Sequence, residues 1–293
     1  MRTTPASPSL PLHALLLTTT DTHLTRLTRL LSTPAGIDKS LTTTYYLLVL
    51  LHSRLSAHLN TRLTVLATAA AQKAAPALLP GETLFTTTVA PPSLARLARA
   101  KEATGKLKGL ISDYRIFSRL WGLLAMYAWG KSVYASPPSD PVLRFIAYAQ
   151  VGVNTVYQGM ENAAYLAGHN VIGGWEPAFL GRWWAVASRF WMAHVVLDLV
   201  RLARVRQVRL AKREGVTVRD GGGEKKELEE EKRVVESRRR EDEEWWRQFT
   251  VDAAYAPLTL HYSALKAVPE DWIGVLGTIA GGTGLRYMWK QLA

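Results

Sequence analysis

The sequence predicts an all-α protein: a membrane-associated helical bundle with amphipathic helices and a glycine-rich C-terminal membrane segment. Three observations predict it. Glycine and proline fall mostly as punctuation, the stretches between them keep a helical apolar period, and no run alternates polar and apolar residues as a strand would. Ten tryptophans, many of them beside apolar runs, suit a lipid interface where the ring is buried and the N–H stays wet. The 36 basic against 24 acidic residues give a formal charge of +12, which points to anionic phosphate in headgroups or in nucleic acid. The absence of cysteine excludes disulfides, thiolate metal sites and cysteine nucleophiles.

Residues 1–135 read as a basic N-terminal helical region, with 15 basic and 5 acidic groups. The apolar run Leu10 to Leu17 is too short for a secretory signal and is interrupted by Pro11. Arg2, Arg26 and Arg29 with only Asp21 opposing them leave a mitochondrial presequence as an alternative. From Asp38, read as an N-cap, a helix runs to about Ala71 with Leu41, Tyr45, Leu48, His52, Leu55, Leu59 and Leu66 on one stripe. His52 reads as a core or interface histidine. Residues 72–92, with four prolines, read as a loop or broken helix.

A continuous basic helical stretch is expected from Ser93 to about Lys131, and within it residues 106–121 form an amphipathic helix. Leu107, Leu110, Ile111, Tyr114, Phe117 and Trp121 fall within an arc of roughly 120°, and Lys108, Arg115 and Arg119 form a cationic stripe away from it. That pattern fits a core-facing bundle helix with a solvated back. It also fits a helix whose apolar side chains insert into an anionic leaflet while the three cations meet lipid headgroups.

Residues 136–200 read as a membrane-embedded helical hairpin, from Val142 to Gly168 and from Arg182 to about Lys212, turning at Gly173–Pro177. Phe145 to Met160 gives 16 residues without formal charge, short of an ordinary span. Glu161 and Arg189 each lie 14 residues from Trp175, so they are expected to pair across the hairpin, with Asn154 and Gln158 extending the polar stripe. Residues 201–247 hold 27 charged residues in 47 and a Gly221-Gly222-Gly223 hinge, and read as a charged linker or exposed charged helix. Their acids nearly cancel their bases, which argues against a nucleic-acid arm.

Residues 248–293 form the C-terminal membrane segment, with Trp272 to Leu285 uncharged and Arg286 and Lys290 placed to snorkel. Gly277 and Gly281 make a Gly-x-x-x-Gly face, extended by Gly274 and Gly284, for helix–helix packing within the chain or between copies. Catalytic chemistry is not expected. The string Ala125 to Ser132 lacks the first glycine of a phosphate-binding loop, and Gly282-Thr283-Gly284 lacks the third glycine of a dinucleotide fingerprint. The seven histidines show no metal-ligand spacing, so neither a metal nor a cofactor is expected.

Three blocks resemble a known family. They are Leu31 to Leu41 running into Tyr45-Tyr46, with Gly36-Ile37-Asp38-Lys39 at its centre; Asp113 to Leu123; and Pro257 to Ser263 joined to Gly274 to Gly281. Together they are similar to the peroxin eleven family of peroxisomal membrane proliferation factors, and within it to a filamentous-fungal C-type branch. The resemblance implies a non-enzymatic, homo-oligomeric protein of the peroxisomal membrane with both termini in the cytosol. It also implies a role in organelle elongation and fission and recruitment of division machinery, while the basic charge makes an anionic phospholipid surface the expected partner. A mitochondrial or endoplasmic-reticulum protein of similar architecture, a membrane carrier or channel, and a soluble nucleic-acid binder are the alternatives.

Overall fold

The computed structural model describes residues 12–74, 76, 91–214 and 224–292, and among them the regular structure is entirely helical. In chain order the elements are α1 (Leu12–Leu31), α2 (Pro34–Ala74), α3 (Pro92–Ser118), α4 (Gly122–Ala135), α5 (Pro141–Gly168), α6 (Pro177–Glu214), α7 (Glu224–Leu260) and α8 (Glu270–Gln291). The expected hinge at Gly221–Gly223 and most of the proline-rich segment before residue 91 lie outside the described residues.

Six long helices close a ring. α2 packs on α3 and α8, α8 on α7, α7 on α6, α6 on α5, and α5 meets α3. α4 lies on α5, and α1 rests on α2 and α8. Tyr46 and Val49 of α2, Leu258 of α7 and Ile273 of α8 form the buried apolar centre, with Trp191, Tyr255 and Tyr262 packed against it.

The local chemistry explains where the helices begin and stop. α5 starts at Pro141, whose missing N–H belongs to an unpaired position, and the Asp140 carboxylate accepts the N–H groups of Val142 and Leu143 at 3.0 Å. Pro257 inside α7 withholds a donor, and a π-helical turn, His261–Leu265, follows before Lys266 leaves the helix at φ 41°. Asp38 is not the N-cap of α2. The helix begins at Pro34, and Asp38 instead faces α3.

One further expectation changes: the stretch from Ser93 to Lys131 is broken at residues 119–121, for a reason that lies in α5 and is taken up below. Of the two readings of the charged segment 201–247, its described residues take the helical one, completing α6 and opening α7, and their charges pair along and between helices. Arg240 meets Glu236 at 2.6 Å and Arg239 meets Glu243 at 3.1 Å, one turn apart. The Trp245 indole N–H reaches the Leu202 carbonyl at 2.8 Å, and Arg206 lies 4.9 Å above the Trp245 ring, tying α7 to α6.

Candidate functional site

Three cations in the C-terminal half of α3 or just past it turn toward the bundle. Lys108 pairs with Glu270 of α8 at 3.4 Å, Arg115 with Asp38 of α2 at 3.1 Å, and Arg119, just past the helix, with Glu161 of α5 at 2.8 Å. The three expected headgroup contacts are therefore engaged within the protein. Periodicity locates the cationic stripe but not the acids on three other helices that draw it inward.

The apolar stripe consequently points outward. Leu110 is 69% and Trp121 62% exposed, with Leu107, Tyr114 and Phe117 close to half exposed. Only Ile111, at the edge of the stripe, is buried, at 9%. Trp121 sits at the α3–α4 turn rather than on α3, its ring edge-on to Phe117 with centroids 5.9 Å apart. The surface runs on through α4, which has no buried residue and exposes Leu123, Leu124, Tyr127 and Tyr134. Val142, Phe145 and Tyr148 of α5 are exposed as well. Scattered apolar residues are normal on a protein surface, but successive exposed stripes of this kind mark an interaction face.

Gln150, Asn154, Gln158, Glu161 and Asn162 of α5 point the other way. Glu161 is 2% exposed and accepts Arg119 Nε at 3.0 Å, a second guanidinium N–H at 2.8 Å and the Tyr157 hydroxyl at 2.8 Å. Its partner is thus Arg119 and not Arg189, which is exposed on α6. Equal spacing from the turn says nothing of rotation about the helix axis, and rotation separates the two. Asn154 does reach across to α6, with Nδ2 2.8 Å from His194 Nδ1, and Gln158 turns to the α3–α4 joint.

Farther along the hairpin, Gln150 donates to Asp198 at 2.7 Å, and Arg201 binds both oxygens of Asp198 and reaches Gln248 of α7. Burial, then the adjacent Asp198, push the Asp252 carboxyl from 3.8 to about 8. Burial alone would raise Asp198 too, but hydrogen bonds from Arg201, Asp252 and Gln150 outweigh it and hold that carboxyl low. Asn154, one turn along α5 from Gln150, was legible as part of a polar stripe, whereas Gln150 itself and the α6 and α7 partners of this seam were not.

The glycine face of α8 is filled by α2. A Cβ at Gly274 would stand 2.6 Å from the Leu50 backbone nitrogen and one at Gly281 2.9 Å from Thr43 Oγ1, while Gly277 lies directly against the Tyr46 ring. Gly277 and Gly281 therefore pack within the chain, leaving this face covered rather than open to a second copy.

The string Ala125 to Ser132 lies wholly inside α4 and forms no phosphate loop. Among the described residues no helix is long and apolar enough to cross a membrane. Phe145 to Met160 lies in α5 and Trp272 to Lys290 in α8, where polar residues and glycines dilute the hydropathy.

Fold and surface define a helical-bundle protein with buried polar seams and an outward apolar face. The family model for Peroxisomal biogenesis factor 11 (PEX11) matches residues 94–289, and the chain belongs to that family. It is accordingly a peroxisomal biogenesis factor, of a family associated with the peroxisomal membrane and with proliferation and division of the organelle. No curated protein and no solved structure matches the chain.

Proposed function

We propose that this protein remodels the peroxisomal membrane during elongation and fission, by burying the outward face of α3 and α4 in the interface of an anionic phospholipid leaflet. One observation carries the reading: from Leu107 onward α3 turns Lys108, Arg115 and Arg119 into ion pairs with other helices and Leu107, Leu110, Tyr114 and Phe117 to the outside. A soluble bundle helix gains stability from the opposite arrangement. Each large side chain contributes roughly 1.5 to 3 kcal/mol if fully buried, so several partly buried anchors suffice for interfacial seating. With Lys108, Arg115 and Arg119 engaged internally, attraction to anionic lipid falls to other cations of the basic N-terminal half.

Homo-oligomerisation, recruitment of division machinery, cytosolic termini and membership of the fungal C-type branch belong to the same proposal. Oligomer contacts would use a surface other than the glycine face. The test has two arms. Tagged protein should colocalise with a peroxisomal marker and raise organelle number when overproduced; a mitochondrial or endoplasmic-reticulum pattern favours those rivals. Purified protein should tubulate small anionic vesicles without releasing a trapped solute. Solute flux without tubulation would favour a carrier or channel.

A further inference from the structure

The joint between α3 and α4 is closed from outside. There Arg119, Leu120 and Gly122 donate their N–H groups to Ile116, Phe117 and Arg119 at 3.1, 3.0 and 2.8 Å, tight three-residue turns that interrupt the α ladder. No proline lies between residues 93 and 136 to force the break. Interrupting the ladder frees backbone carbonyls, and each needs a partner if it is not to lose a hydrogen bond.

Two side chains on one face of α5 supply them. Gln158 donates to the Arg119 carbonyl at 2.9 Å, and Asn162 donates to the Leu120 carbonyl at 2.8 Å. Glu161 between them holds the Arg119 guanidinium through two N–H groups. Gln158 also donates to Asn162 Oδ1 at 2.8 Å, so the two amides brace each other. Gly122 completes the fit, since a Cβ there would stand 2.5 Å from Gln158 Oε1. Backbone turn, charge pair and glycine all serve the same joint.

We propose that Gln158, Glu161 and Asn162 are positioning residues that hold the α3–α4 bend and so keep the apolar face of the two helices as one angled wedge. The inference rests on the membrane reading of that face. Interfacial binding follows the apolar area presented, which a loose joint leaves intact. Bending a bilayer requires the inserted shape to be kept under load, and a joint free to straighten lets each helix lie flat. The clamp therefore acts on curvature and not on affinity.

Because the chain has no cysteine, Gly109→Cys and Ser132→Cys can carry spin labels on exposed sites of α3 and α4 without further change. The full chain is compared with Gln158→Ala/Asn162→Ala, in detergent and on phosphatidylcholine vesicles containing phosphatidylserine. The parent should give one narrow distance distribution, and the double variant a broadened or shifted one. Co-flotation with vesicles should be unchanged while tubule yield falls several-fold. Gly122→Ala is the second variant: its Cβ would meet the Gln158 side chain from Oε1 at 2.5 Å to Cγ at 3.1 Å and so displace that amide, while helix propensity rises and an unchanged helical circular dichroism separates its effect from a failure to fold. It should shift the distance in the same sense.

An unchanged distribution in both variants overturns the clamp, as does a broadened one with undiminished tubulation. If the parent itself does not tubulate vesicles, the membrane reading falls separately. The detergent distances then decide the clamp alone.

Discussion

Glu161 accepts both Arg119 N–H groups and the Tyr157 hydroxyl at the α3–α4 joint. Replacing it by alanine leaves the Arg119 guanidinium without its carboxylate in a half-buried position. Breaking a buried pair from one side is strongly destabilising. About a third of the Arg119 side chain keeps contact with solvent, so the loss should fall near the lower end of that range, about 3 kcal/mol. Arg189→Ala, at an exposed site, should shift stability by no more than about 0.5 kcal/mol. Exchanging the charges at positions 119 and 161 should recover part of the loss. Denaturant unfolding in mild detergent measures all three, and equal damage from Arg189→Ala and Arg119→Ala would return the pairing to Arg189.

Elements divide by which face they spend on the bundle. α3 keeps Leu110 and Phe117 outside and Ile111 inside, so substitutions one residue apart should have unlike consequences. Leu110→Glu with Phe117→Glu should leave the helical circular dichroism and melting temperature near those of the parent and abolish vesicle tubulation. Ile111→Glu buries a charge and should unfold the protein in detergent. If the exposed pair unfolds it instead, α3 has its apolar side in a core. α8 behaves in the opposite way, because its small residues admit α2. Gly277→Leu with Gly281→Leu places large side chains where Tyr46 and Thr43 already stand, so the melting transition should drop or vanish before any question of self-association arises. Crosslinked oligomers lost from a protein of unchanged stability would show the face to be intermolecular.

At the scale of the whole molecule, the Asp198–Asp252 seam binds α5, α6 and α7 into one side of the ring. Asp252 stays protonated in the folded protein up to about pH 8, whereas in the unfolded chain it ionises near 3.8. Between those values the native state binds the extra proton, so this group makes stability fall as pH rises, levelling off above about 8. Asp198 acts with the opposite sign: its stabilisation is present above 3.8 and is lost as pH falls below it. Urea unfolding at about pH 5 and about pH 8.5 should show the parent weaker at the higher value, and Asp252→Asn should remove most of that difference. A slope that survives the substitution assigns the effect to another group.

The all-helical fold was legible because a helical apolar period and the placement of glycine and proline are local properties. Asp140-Pro141 starts α5 and Gly173–Pro177 turns the hairpin through interactions within a few residues of one another. The family was legible too, since its motifs are short runs of sequence. The two stripes on α3 were equally visible, but which one faces outward was decided by Asp38, Glu161 and Glu270, acids distant in sequence that meet the cations only when the ring closes. The break at residues 119–121 was hidden for the same reason. Its local signal is Gly122 alone, and the amides that make the break favourable belong to another helix. Sequence determines what each helix offers to its surroundings. Rotation about each helix axis is set by the sum of many distant contacts, and only the tertiary structure decides it.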